Sequence, residues 1–66
     1  MASVMETKLS KKITPEMEEK YRSRFDREAR YLGNGIYTIA NVHSTDTREL
    51  FLMYCAICEG IKFKYE

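Results

Sequence analysis

The sequence predicts a small single-domain α+β fold in the order helix, strand, helix, strand, with the strands sharing one small sheet. Three observations predict it. A capped amphipathic helical period starts at Thr14-Pro15. A β-branched and aromatic run follows at 36–42 (IYTIANV). An apolar stretch capped at both ends then leads into the alternating segment 61–65 (IKFKY).

The first helix is expected over 14–32. Thr14 is a good N-cap, and Pro15 takes the first helical position, where a missing N–H costs nothing. Glu16, Glu18 and Glu19 place negative charge at the positive end of the helix dipole. Glu16–Lys20, Glu18–Arg22 and Asp26–Arg30 are i,i+4 pairs with the acid first. Met17, Tyr21, Phe25, Ala29 and Leu32 line one face. Gly33 and Asn34 then tolerate the left-handed backbone of a helix end.

Gly33-Asn34-Gly35 marks a tight turn, and 36–42 reads as one strand with apolar groups on both faces. His43, Ser44 and Thr45 read as a short loop. Asp46 stands three residues before Glu49, as in a capping box, so the second helix is expected from Thr47 to Glu59 with Gly60 just past its end. Its run 50–58 (LFLMYCAIC) is apolar throughout. Leu50, Met53, Tyr54 and Ile57 can face the sheet, while Leu52, Cys55 and Ala56 point elsewhere. These need the first helix, a protein partner or a second copy of the chain as cover. Burying them contributes about 3 to 6 kcal/mol, comparable with the stability of a domain this small. Segment 61–65 alternates, with Ile61, Phe63 and Tyr65 on one face and lysines on the other, as in a half-exposed edge strand. Residues 1–13 are polar and mixed. They read as a flexible arm, with Val4, Met5 and Leu9 able to add a short edge strand, leaving 14–66 as the single domain. No internal repeat is present.

The chain has 66 residues and a net charge of +1, which gives no general attraction to nucleic acid or an anionic membrane. Charged residues make up 32% and hydrophobic residues 44%, an ordinary soluble balance. Two cysteines are too few for a disulfide framework. No secretory signal is read at the N-terminus, and 50–58 is far shorter than the roughly 20 residues that span a bilayer. A reducing, cytoplasmic setting is the simplest expectation.

The residues that could carry chemistry have plainer explanations. Cys55 and Cys58 match CxxC, but both lie in the last turns of the expected helix, where the dipole opposes thiolate. One chain has a single histidine, His43, and cannot assemble an ordinary four-ligand zinc site, although a dimer could pool four cysteines. His43, Ser44 and Asp46 include triad residue types, yet they are adjacent in a loop and follow from helix capping. Gly33 and Gly35 lack the rest of a phosphate loop. Lys20, Arg22, Arg24, Arg27 and Arg30 spread around the first helix among acids instead of forming a phosphate-tracking stripe. Glu28 falls inside the apolar face and Arg24 beside it, the pattern of a rim ion pair or of a polar element in an interface.

At the level of pattern, IYTIANV, STDTRE, LFLMYCAICEG and IKFKY resemble the strand, capped apolar helix and strand of small phage-encoded proteins that modulate host enzymes. The resemblance covers about half the chain and carries no functional residue across. It implies a stoichiometric binder without catalysis.

The expectation is therefore a non-enzymatic protein-interaction module, without cofactor or metal, that binds a larger protein. The expected interface residues are Tyr21, Arg24, Glu28, Tyr31 and Leu52, and self-association is expected as well. A nucleic-acid-associated protein using Lys11, Lys12 and the arginines of the first helix is the alternative. No membrane association is expected.

Overall fold

The computed structural model of the chain describes residues 9–63. A helical turn at 9–12 precedes helix α1, Pro15–Glu28. Strands β1 (Arg30–Gly33), β2 (Ile36–Ile39) and β3 (Val42–Ser44) follow, and helix α2, Thr47–Glu59, closes the described fold. The strands form one antiparallel sheet in the order β1-β2-β3. The class is α+β, as the sequence predicts.

α1 begins as expected. The Met17 N–H donates to Thr14 Oγ1 at 3.2 Å, and the Thr14 N–H reaches Met17 Sδ at 3.4 Å, a capping box with a thioether where a carboxylate is usual. The helix stops at Glu28, and Ala29 is extended at φ −64, ψ 139. The expected continuation to residue 32 is thus corrected. Asn34 and Gly35, at φ 55 and φ 78, make a two-residue hairpin turn of the kind that matches strand twist. That turn sets Gly33 opposite Ile36, Tyr31 opposite Tyr37 and Arg30 opposite Thr38, with a bulge at Leu32. A ladder built on residues of high β propensity replaces the last helical turn.

The strand expected over 36–42 is two strands. Ala40 and Asn41 sit at φ 51 and φ 67 in a second two-residue turn, which pairs Ile39 with Val42, Thr38 with His43 and Tyr37 with Ser44. His43 and Ser44 consequently lie in β3 rather than in a loop. The Thr38 hydroxyl donates to the Val42 carbonyl at 2.7 Å and braces this hairpin. Register and alternation place Tyr31, Tyr37, Ile39 and Val42 on one sheet face, and Arg30, Thr38 and His43 on the other.

α2 packs against β2, β3 and α1 and is the most buried element. Its N-cap Asp46 accepts from the N–H groups of Arg48 at 2.9 Å and Glu49 at 3.3 Å. Leu50, Phe51, Leu52, Met53, Tyr54, Cys55 and Ala56 are all buried, with Ile39 and Val42 from the sheet and Tyr21 and Phe25 from α1 in the same cluster. Phe25 meets Phe51 edge-on at 5.0 Å, and Tyr21 meets Tyr54 at 6.1 Å. Leu9 and Ile13 join this core at 1% and 4% exposure, so the C-terminal end of the expected 1–13 arm belongs to the domain. Val4 and Met5 of the expected edge strand lie outside the described residues. Arg48 clamps α2 to α1, its guanidinium donating to both carboxylate oxygens of Glu18 at 2.5 and 3.3 Å. That hydrogen bond holds the Glu18 carboxyl below its ordinary range.

The strand expected over 61–65 is corrected for 61–63, which form none. Gly60 is left-handed, at φ 72, and the Ile61 N–H folds back onto the Ala56 carbonyl at 2.8 Å. This Schellman closure drops Ile61 onto the core, and Phe63 also packs there. Residues 64–66 lie outside the described residues.

Candidate functional site

The five residues expected to form an interface do not share one surface. Leu52 is 0% exposed within the single chain, so no second copy is needed to bury it. Tyr21 is buried too, its ring in the core and its hydroxyl donating to the Glu59 carboxylate. That bond raises the Tyr21 pKa. Arg24 and Glu28 are exposed on α1. The Arg24 guanidinium is held above its ordinary value, first by a hydrogen bond with the Tyr54 hydroxyl, with Cys58 and Glu28 adding smaller electrostatic contributions. Burial raises the Tyr54 pKa. Tyr31 stands apart from all of these, on β1.

β1 carries the most open apolar surface among the described residues. Tyr31 and Leu32 are 59% and 61% exposed, against 41% for Ile57 on α2. β1 lies at one edge of the sheet, and neither helix packs on it as α2 packs on β2 and β3. Tyr31 is nevertheless fixed in place. Its ring lies 4.8 Å from that of Tyr37, and its hydroxyl accepts the Gly35 N–H at 2.9 Å. The hairpin turn and the aromatic side chain therefore hold one another. Periodicity places Leu32 on the buried face of the first helix, whereas the structure puts it on β1, exposed. The Asn34-Gly35 dipeptide was the signal that could have placed it on a hairpin.

The charges of α1 and β1 are unevenly matched. Lys20 pairs with Glu59, Arg22 with Asp26 and Arg48 with Glu18. Arg22 also lies over the Phe25 and Phe51 rings at 5.7 and 5.2 Å. Arg27, in the last turn of α1, and Arg30, in β1, are exposed and have no ion-pair partner among the described residues.

Ser44 and Asp46, two of the residues that could support catalysis, serve the backbone. Ser44 Oγ accepts the Asp46 N–H at 3.0 Å, and the Asp46 carboxylate caps α2. Cys55 is buried and its thiol is pushed up to about 11, first by that burial, while Cys58 is exposed. A shared metal site across two chains would have to extract Cys55 from the core. Among the described residues no group of three or more His, Cys, Asp or Glu is placed to hold a metal ion, and no helix is long and apolar enough to cross a membrane.

The architecture is that of a small α+β domain, a three-stranded meander with α2 packed on β2 and β3 and α1 packed on α2. No family model, curated protein or solved structure matches the chain.

Proposed function

We propose that this chain is a non-enzymatic protein-interaction module that docks on a larger protein through its β1 edge. The observation that carries the reading is the exposure of Tyr31 and Leu32 on an edge strand that neither helix covers as α2 covers β2 and β3. Aromatic and arginine side chains on a preformed surface are the favoured anchors of protein interfaces, because little conformational freedom is lost on binding. Arg24 and Glu28 remain available on α1 as flanking polar contacts, whereas Tyr21 and Leu52 belong to the core. In line with the resemblance to phage-encoded modulators, the partner would be a host protein in the cytoplasm.

The nucleic-acid alternative draws on Lys11, Lys12 and the arginines of α1. Lys11 and Lys12 are exposed. Lys20 and Arg22, however, are committed to Glu59 and Asp26, and exposed Glu16 and Glu19 interrupt the basic surface. A continuous phosphate-tracking stripe is not formed.

The test is quantitative affinity capture from lysate with the parent chain, a Leu32→Asp variant and a Lys20→Ala control, each checked for folding by circular dichroism. The expected result is a protein recovered by the parent and the control but reduced about tenfold with Leu32→Asp, equivalent to about 1.4 kcal/mol. Recovery of no protein that depends on Leu32 would overturn the reading.

A further inference from the structure

We infer that the partner presents an extended, acid-rich polypeptide segment that adds itself as a strand to the outer edge of β1. The inference rests on the protein-interaction reading above and names the chemistry of its partner.

Three features converge on this edge. The sheet order leaves the outer side of β1 without a neighbouring strand among the described residues, so its outward N–H and C=O groups can pair with an incoming chain. Tyr31 and Leu32 offer apolar contact beside those groups. Arg27, in the last turn of α1, and Arg30, at the start of β1, are exposed positive charges without an ion-pair partner among the described residues, and Asp26 pairs with Arg22, so exposed Glu28 between them leaves a local excess of positive charge. An extended segment with carboxylates flanking apolar residues complements all three features. The bulge at Leu32 keeps the ladder short. Backbone pairing is therefore confined to the alternate residues of β1 whose groups face away from β2, Leu32 adds a side-chain anchor, and charge supplies the selectivity.

Two other occupants fit less well. A second copy pairing through its own β1 would bring four arginines to one joined edge against two Glu28 carboxylates, a net repulsion that an acidic segment does not meet. Single-stranded nucleic acid would satisfy the arginines but cannot continue a backbone ladder.

The experiment titrates the isotope-labelled full chain, followed by its backbone amide resonances, with three probes. These are the capped peptide Glu-Val-Thr-Val-Glu, its counterpart with lysine in place of each glutamate, and oligothymidylate. The acidic peptide is expected to shift the amides of 30–33 and to bind about tenfold more tightly than the basic one. Joint Arg27→Glu and Arg30→Glu substitution should reverse that preference, and both sites are exposed, so the core is left intact. Equal affinities, shifts confined to other elements, preference for oligothymidylate, or dimerisation through β1 in place of peptide binding would each overturn the inference. Lysate capture separates this failure from failure of the functional reading. A partner that depends on Leu32 but is indifferent to the double charge reversal overturns the acidic segment and leaves the interaction module standing. Absence of any Leu32-dependent partner overturns both.

Discussion

The Tyr21 hydroxyl donates to the Glu59 carboxylate, and this bond fastens the middle of α1 to the last residue of α2. Glu59 lies at the negative end of the α2 dipole, an unfavourable place for an acid. The Tyr21 donor and the Lys20 ammonium, 3.7 Å away, offset that position. Tyr21→Phe keeps the ring against Tyr54 and removes only the donor, so it should lower the urea midpoint without changing the slope. Glu59→Gln should cost less in the Tyr21→Phe background than alone, the coupling a double-mutant cycle detects.

The same bond has a pH signature. Tyr21 is an acid whose folded pKa is raised by its bond to Glu59. Its contribution is fully present below the unfolded tyrosine value, about 10, and is lost as pH rises through the folded value. The stability gap between the parent chain and Tyr21→Phe should accordingly narrow in alkaline solution, measured by urea midpoints from about pH 8 to about pH 11. A gap that is constant across that range would mean the hydroxyl bond does not form.

Ala40 occupies a left-handed conformation, φ 51, that costs a residue with a β-carbon about 1 kcal/mol or more. Ala40→Gly should raise stability by about 0.5 to 1 kcal/mol. Thermal denaturation would then shift upward by several degrees. Ala40→Val, β-branched in the same conformation, should shift it downward.

Leu9 and Leu52 are both essentially inaccessible, at 1% and 0% exposure. Either change to Ala should cost about 2 to 5 kcal/mol. That is most of the stability of a domain this small, so both variants should be largely unfolded at room temperature by circular dichroism. A fully folded Leu9→Ala chain would place 9–13 outside the core.

The two cysteines should behave differently despite their shared motif. Cys58 is exposed and should react with a thiol reagent in the folded state, whereas Cys55, buried with its thiol held at about 11, should react only on unfolding. Cys55→Ala should destabilise by about 1 to 3 kcal/mol. Cys58→Ala should stay within about 0.5 kcal/mol of the parent. Rapid modification of both thiols in native conditions would contradict the packing of α2.

Much of the fold was legible because local chemistry and tertiary demand agree. Thr14-Pro15, Asp46 and Gly60 mark helix ends that side-chain and backbone hydrogen bonds then realise. The sheet was less legible. Leu32 continues the 3.6-residue period of α1, so periodicity alone cannot separate it from the helix, and only the hairpin closing at Asn34-Gly35 does so. Ala40-Asn41 hides a turn inside a β-rich run because it contains neither Gly nor Pro. Leu9 and Ile13 are isolated apolar residues in a polar stretch, and their burial depends on where α2 lies. For the interface, sequence reading named Tyr31 but paired it with Tyr21 and Leu52. An apolar residue can serve a core or a partner equally well, and only the three-dimensional cover decides between them.

The two tight turns also govern the order in which the chain can assemble. Each strand pairs with the next through a loop of two residues, so the meander can close on the microsecond timescale of an isolated hairpin. α1 and the meander also precede α2 in the sequence, and ribosomal synthesis releases them first. The most water-averse segment, 50–58, is thus synthesised after the segments that bury it, so its partners in the core are already on the chain when it appears.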